Sequence, residues 1–385
     1  MKTRILILYT SVGYGIKVTA ENIYERLSKD SRFEVRKVDT GNVEIGWFGK
    51  LWSSIYSVLL NKFSAVWGFL YDSKLVNFII LPLRKTIAAF NSNRVLQLLR
   101  EFQPAVVIST QAAPTGIVSY LKAKGLYQGK LVAVFSDYHM HPFWCFKEVD
   151  LYFCNIEEQT VGLQKLGFRE DKFVVTGTLI AERFFHEISK NEAKMKFGLL
   201  SSMSTVILTS GARVRAETKE LLTKLMRSVE TFQIVVVCGK NEELKKELGA
   251  ISAPDRHPIK ILGFIDNMDV LMSAGDVLVG KTGGPTMAEA VVKKLPMVLT
   301  DVRPGHEMKN LEYLVRNRIV EYARIPREVV FLVEEILKGK LRKDFGHSFE
   351  TIVKPKTAGN INEVIAKLSP QKLPEIKVRK YDTSA

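Results

Sequence analysis

Apolar positions along this chain come in short unbroken runs, separated by longer stretches with helical periodicity. Arg4–Thr10 is the first such run; a loop at Ser11–Gly15, a helical stretch over Val18–Lys29 and a second strand at Phe33–Val38 follow it. Further runs at Ala105–Thr110, Lys130–Phe135, Leu151–Asn155 and Lys172–Thr176 predict buried strands with helices between them. Strands without polar alternation belong to parallel sheets covered by helices on both faces, because neither face meets water. The pattern restarts near residue 178, with strands predicted at Thr205–Leu208, Gln233–Cys238, Ile259–Leu262, Asp276–Val279 and Pro296–Thr300. Two doubly wound, Rossmann-like α/β domains in series are therefore expected, spanning 1–177 and 178–345. A segment 346–369, with a helix near Ala358–Leu368, is expected to pack back on the first domain. A basic tail, 370–385, follows. No internal repeat is visible.

One stretch departs from this pattern. Three of the four tryptophans, Trp47, Trp52 and Trp67, fall in a segment running to Tyr71 whose only charges before Asp72 are Lys50 and Lys62. Phe48, Leu51, Trp52, Ile55, Leu59, Phe63, Val66 and Leu70 recur at helical spacing, with Lys50, Ser53, Ser54, Ser57, Asn61 and Ser64 largely opposite. The lysines and serines interrupt the roughly 20 apolar residues that a spanning helix needs. The segment reads as an interfacial element dipping into one leaflet; a core helix or hydrophobic lid is the alternative.

Composition sharpens the picture. The chain has 385 residues, 46% of them hydrophobic, more than one core of about 250–300 residues usually holds. The net charge of +15 suits an anionic membrane face or an acidic ligand. Nucleic acid is not expected, since no finger spacing, RNA-binding signature or Arg-rich arm is present. Cys145, Cys154 and Cys238 are odd in number and widely spaced, arguing against a disulfide framework or zinc cluster. No secretory leader is read at the N-terminus.

The stretch richest in chemistry is Gly280-Lys281-Thr282-Gly283-Gly284-Pro285-Thr286-Met287-Ala288-Glu289-Ala290. It follows a strand and opens a helix, where backbone N–H groups and the helix dipole attract phosphate. It matches neither a P-loop nor a GxGxxG fingerprint. The spacing also fits a capping box, with Thr286 as N-cap and Glu289 at the third helical position. Ser11-Val12-Gly13-Tyr14-Gly15 forms a similar glycine loop near the N-terminus.

These stretches occur in the same order, with Phe63–Asp72, Ser136–Trp144, Val149–Tyr152, Val175–Gly177 and Pro304–Asn310, in a known group of enzymes. The chain resembles the monogalactosyldiacylglycerol synthase and processive diacylglycerol glucosyltransferase group of glycosyltransferase family twenty-eight. The resemblance implies a GT-B fold, two Rossmann-like doubly wound domains facing a cleft. It implies inverting transfer of a hexose from a UDP-sugar to diacylglycerol or a related lipid, at the cytoplasmic face of the membrane, without an obligatory metal or other cofactor. By that resemblance Gly283, Gly284 and Thr286 meet the donor diphosphate, Glu289 holds the ribose, and the Pro304–Asn310 block, through Glu307 and Asn310, meets the sugar hydroxyls. His306 departs from the family, which usually has glutamine there, and is a candidate hydrogen-bond donor to the sugar. Phe264 falls where the family contacts uracil; a core aromatic is the alternative. Gly13 and Gly15 belong to the N-terminal loop of the site.

Two departures bear on catalysis. The family's loop ends Gly-His, the histidine being the expected base, whereas Ile16 follows Gly15 here and cannot move a proton. The glycine turn after the first strand of the second domain is replaced by Thr209-Ser210-Gly211-Ala212-Arg213, so Ser210 and Arg213 become candidate phosphate contacts, with Arg215 as the alternative to Arg213. Asp137 and His141, just beyond a predicted strand, are the candidate substitute bases. Two rival readings stay open: the lipid-linked N-acetylglucosaminyltransferase of peptidoglycan synthesis, and a non-catalytic nucleotide-sugar or lipid sensor that lost its base.

Overall fold

The computed structural model describes residues 2–10, 14–41, 84, 88–89, 92–210, 215–281, 283–341, 344–354, 361–370 and 376. The aromatic segment Trp47–Tyr71, Gly13 and Arg213 lie outside the described residues. The chain forms two compact units, one of Met1–Ala181 with Pro304–His306 and Thr351–Ala385, the other of Glu182–Arg303 with Glu307–Glu350.

The first unit carries six parallel strands, β1 (Thr3–Tyr9), β2 (Phe33–Asp39), β3 (Val106–Ser109), β4 (Lys130–Val134), β5 (Leu151–Cys154) and β6 (Phe173–Val175). Their order is β2-β1-β3-β4-β5-β6. Successive side chains of a strand point to opposite faces, and both faces are covered. Ile5 and Ile7 of β1 pack with Ala20, Ile23 and Leu27 of helix α1 (Tyr14–Ser28), whereas Leu6 and Leu8 join Val95, Leu96 and Val118 on the other side. This two-sided burial explains why β1 reads as an uninterrupted apolar run. The first face also takes up Ile361 and Ile365 of the helix Ile361–Leu368. The chain reaches that helix through a close crossing, in which Thr178 N–H donates to the Ile352 carbonyl at 2.8 Å. Gly177 (φ +72°) is required there, because a Cβ would stand 2.2 Å from the Val353 oxygen.

The second unit carries β7 (Thr205–Thr209), β8 (Gln233–Val237), β9 (Ile259–Leu262), β10 (Val277–Gly280), β11 (Met297–Leu299) and β12 (Glu321–Tyr322). All are parallel, in the order β12-β11-β10-β7-β8-β9. Counted from β7 this is the 3-2-1-4-5-6 order of dinucleotide-binding sheets. The two-residue β12 has no counterpart among the predicted strands, being too short to leave a periodic signal. In each sheet the chain changes direction at one place, between β1 and β3 in the first and between β7 and β10 in the second. Ligands of open α/β sheets bind beyond the carboxyl ends of the strands at such points.

Among the described residues no helix is long and apolar enough to cross a membrane.

Candidate active site

The carboxyl ends of β7 and β10 lie side by side. Val279 pairs with Leu208, and Thr209 Oγ1 donates to the Val279 carbonyl at 3.3 Å. A Cβ on Gly280 would stand 2.7 Å from that hydroxyl, so the close approach calls for glycine. Ser210, 2% exposed, closes the end of β7; its hydroxyl donates to the Val237 carbonyl at 3.2 Å.

Beyond β10 the chain passes Lys281 and reaches Gly283, whose extended backbone (φ −136°, ψ 121°) is the N-cap of α4 (Gly284–Val292), the earlier helices α2 (Ala112–Ala123) and α3 (Glu157–Lys165) belonging to the first unit. Pro285 falls in the first turn, where its missing N–H has no intrahelical partner to lose. No side chain caps this helix at Gly283. The capping box expected of Thr286 and Glu289 is therefore not formed: Gly-Pro starts the helix early enough that Thr286 is already its third residue and Glu289 its sixth. Released from capping, Glu289 is buried, 8% exposed. Burial pushes its carboxyl up to about 7; the Arg183 charge pulls it down and that of Asp269 pushes it further up. Arg183 and Asp269 themselves approach to 3.9 Å. Neither was legible as a site residue, since each is distant in sequence and carries no motif.

Lys281 Nζ lies 2.5 Å from Asp301 Oδ2, which joins the turn after β10 to the loop after β11. Asp301 adopts a left-handed backbone (φ +55°), as does Gly305 (φ +97°) a few residues on. Half-buried His306 opens helix α5 (His306–Arg316). Glu307 turns back, its Oε2 accepting the Arg303 N–H at 3.0 Å, and Asn310 is 1% exposed. Phe264, just past β9, is 55% exposed with Lys240 Nζ 5.8 Å from its ring centroid. It is not a core aromatic; it stands at the carboxyl edge of the sheet with a cation beside it.

In the first unit Gly15 lies in the first turn of α1, its carbonyl accepting Thr19 Oγ1 at 2.9 Å. Half-buried Ile16 follows, and its carbonyl accepts Thr110 Oγ1 at 3.3 Å, at the junction of β1 and β3. Asp137 and His141 come together in a concavity beyond β4, lined also by Phe135, Ser136, His139 and Trp144. His141 caps the short turn Pro142–Trp144, its Nδ1 accepting the Phe143 N–H at 3.2 Å. A neutral imidazole has one acceptor nitrogen. One that accepts through Nδ1 carries its proton on Nε2.

Among the described residues no group of three or more His, Cys, Asp and Glu side chains is placed to hold a metal ion.

Two doubly wound units of this kind define the GT-B class. Solved structures share the fold. HepE from Anabaena in complex with UDP-glucose superposes with a TM-score of 0.54 at 14% identity, over 94% of this chain and 99% of that one. MurG from Acinetobacter baumannii gives 0.55 at 12% identity, over 96% and 99%. A putative UDP-N-acetylglucosamine 2-epimerase from Listeria monocytogenes gives 0.60 at 12% identity, over 98% and 100%. In sequence, residues 17–180 match the monogalactosyldiacylglycerol synthase family and residues 173–353 the glycosyltransferase family 28 C-terminal domain. Residues 17–353 thus carry, in series, a match to the monogalactosyldiacylglycerol synthase family and a match to the glycosyltransferase family 28 C-terminal domain. A processive diacylglycerol β-glucosyltransferase from Bacillus cereus is 28% identical over 298 residues, 77% of this chain and 74% of that one. The protein of that name from Bacillus thuringiensis matches to the same extent.

Proposed function

We propose that this protein transfers a hexose from a UDP-sugar to diacylglycerol or a related membrane lipid, with inversion at the anomeric carbon. The observation that carries the donor class is the uncapped, glycine-opened start of α4 at the turning point of the second sheet, with Glu289 buried behind it. The acceptor class follows the diacylglycerol glucosyltransferases to which the chain is similar.

The backbone at Gly283, Gly284 and Thr286 meets the diphosphate, where the helix N-terminus stabilises charge as the leaving group departs. Glu289 accepts from the ribose hydroxyls, Phe264 lies against the uracil face, and His306, Glu307 and Asn310 meet the hexose. Ser210, just beyond β7, meets the phosphates, with Arg213 as a further phosphate contact, and Gly15, with Gly13 in the same glycine loop, serves the N-terminal side of the site. Asp137 takes the proton from the lipid hydroxyl as its oxygen bonds to the anomeric carbon and the bond to the diphosphate oxygen breaks; His141 donates a hydrogen bond to the acceptor. The Trp47–Tyr71 segment, with the basic surplus of the chain, holds the enzyme peripherally on the cytoplasmic face of the membrane. No metal takes part in this scheme, and the charge it would supply comes from the helix terminus.

The test is UDP release from a panel of UDP-sugars, with and without diacylglycerol vesicles, with Glu289→Ala as control. Lipid-dependent release that the substitution abolishes is the expected result. UDP-sugar binding without turnover on any lipid would replace this reading with the non-catalytic sensor.

A further inference from the structure

The Asp137 loop leaves β4 and has no regular structure of its own until the Pro142–Trp144 turn. A base on such a loop works only if the backbone beneath it is held, since misplacement by about 1 Å can cost a factor of about 100 in rate. The holding group is a side chain from another element. Gln159, in the first turn of α3, is 1% exposed. Its Nε2 donates to the Asp137 carbonyl at 2.8 Å and to the His139 carbonyl at 2.9 Å. Its Oε1 accepts the Asn155 N–H at 2.7 Å and the Ile156 N–H at 3.3 Å. Asn155, also 1% exposed, adds a second donor to the Asp137 carbonyl, Nδ2 to O at 3.1 Å.

We infer that Gln159, assisted by Asn155, is a positioning residue for acceptor activation: it clamps the Asp137–His139 backbone to the end of β5 and so sets where the Asp137 carboxylate stands. The inference rests on the reading of Asp137 as the base.

Only an amide can do this. The position needs two donors on one atom and an acceptor on the other, all buried, and a primary amide supplies both in one plane. A carboxylate has no hydrogen for the two loop carbonyls, and a methionine of similar volume has neither function. Charge and hydrophobicity do not explain a fully buried glutamine on an otherwise polar helix turn; these four bonds do. Because the clamp holds backbone, it acts on the geometry of the proton transfer and leaves the nucleotide site, in the other unit, untouched.

The experiment compares Gln159→Met, Asn155→Ala, Asp137→Asn and the double variant Gln159→Met/Asp137→Asn in the full chain. It reads kcat and KM with UDP-glucose and diacylglycerol in mixed micelles, UDP-glucose affinity by calorimetry, and thermal unfolding. Gln159→Met is expected to lower kcat about 10–100-fold with UDP-glucose affinity unchanged. Asn155→Ala, which removes one bond of the set, is expected to lower kcat several-fold in the same way and provides the answer if Gln159→Met does not fold. The double variant is expected to be no slower than Asp137→Asn alone, because a clamp has nothing to position once the base is gone. A folded Gln159→Met with wild-type kcat, beside an inactive Asp137→Asn, overturns the inference while leaving the base in place. So does a double variant slower by the product of the two effects. Full activity in Asp137→Asn overturns both the base and the clamp.

Discussion

The ammonium of Lys281 lies 2.5 Å from the carboxylate of Asp301, so the turn that leaves β10 and the loop that leaves β11 are joined by an ion pair. The Lys281 side chain is 11% exposed and that of Asp301 33%. The pair thus sits between the surface case, worth about 0–1 kcal/mol, and the buried case, where losing one partner costs about 3–5 kcal/mol. Lys281→Met should destabilise the protein by about 2 kcal/mol, read from the urea midpoint. It should also weaken UDP-glucose binding, because the turn it steadies leads into Gly283. Lys281→Met combined with Asp301→Leu should recover much of the stability and little of the affinity.

Glu289 gives stability a particular pH dependence. Its carboxyl is pushed up from the ordinary 4.5 to about 7 by burial. Between those values the folded protein holds a proton that the unfolded chain has released, so stability is full below about pH 4.5, falls as pH rises towards 7, and is level for this group above that. Chemical denaturation at a series of pH values should show the decline, and Glu289→Gln should remove its contribution. A slope unchanged in Glu289→Gln would mean the carboxyl is not the titrating group.

With Glu289 at the donor ribose, as proposed, the same proton opposes donor binding. Ribose hydroxyls donate to an ionised carboxylate, and UDP-glucose has no group of its own that titrates near neutrality. Affinity for UDP-glucose should therefore tighten from pH 6 to pH 8, by up to about tenfold if only the ionised form binds. Calorimetry in buffers of different ionisation enthalpy should register proton release at pH 6, and Glu289→Gln should bind weakly with no such dependence.

The central strands of both sheets were legible because strands buried on two faces leave unbroken apolar runs, as Ile5–Leu8 and Val277–Val279 do, whereas the two-residue β12 was not. The start of α4 was not. Thr286 and Glu289 have the spacing of a capping box wherever a helix contains them, and what decides the register is Gly-Pro at its opening, which fixes the first turn before Thr286 is reached. Phe264 read equally well as core or contact, since one aromatic in a short strand connection has no periodicity to place it. Gln159 left only a local trace, as the third residue of α3 whose side chain accepts from the Asn155 and Ile156 amides just before it. The two carbonyls that give it its further role, those of Asp137 and His139, are brought to it by the fold from the loop after β4. Arg183 and Asp269 escaped for the same reason: they matter through proximity to Glu289, and the chain separates them from it.

Phe264 makes a clean test of the nucleobase contact, because truncating it leaves no cavity. It is 55% exposed, so Phe264→Ala should leave thermal stability nearly unchanged. Stacking of a base on an aromatic ring is worth about 1–3 kcal/mol, so affinity for UDP should fall by at least several-fold. Equal binding by wild type and variant would remove Phe264 from the site.

Ile16 decides between an enzyme that has moved its base and a fold that has lost it. The residue sits in the first turn of α1, its carbonyl held by Thr110 Oγ1 at 3.3 Å, where the first sheet changes direction. A histidine introduced there would occupy the position from which the family's base is expected to act. General-base catalysis contributes about 10²–10⁴-fold, so a vacant base position would show itself as a gain of that order in Ile16→His. With Asp137 already serving, the substitution should change kcat by no more than a few-fold, and Ile16→His should restore activity only when placed in the Asp137→Asn background. Steady-state rates of the two single variants and their combination give the answer. A hundredfold gain in Ile16→His alone would mean that Asp137 does not replace the missing histidine and that the wild-type protein turns over, if at all, on the electrostatics of the phosphate site.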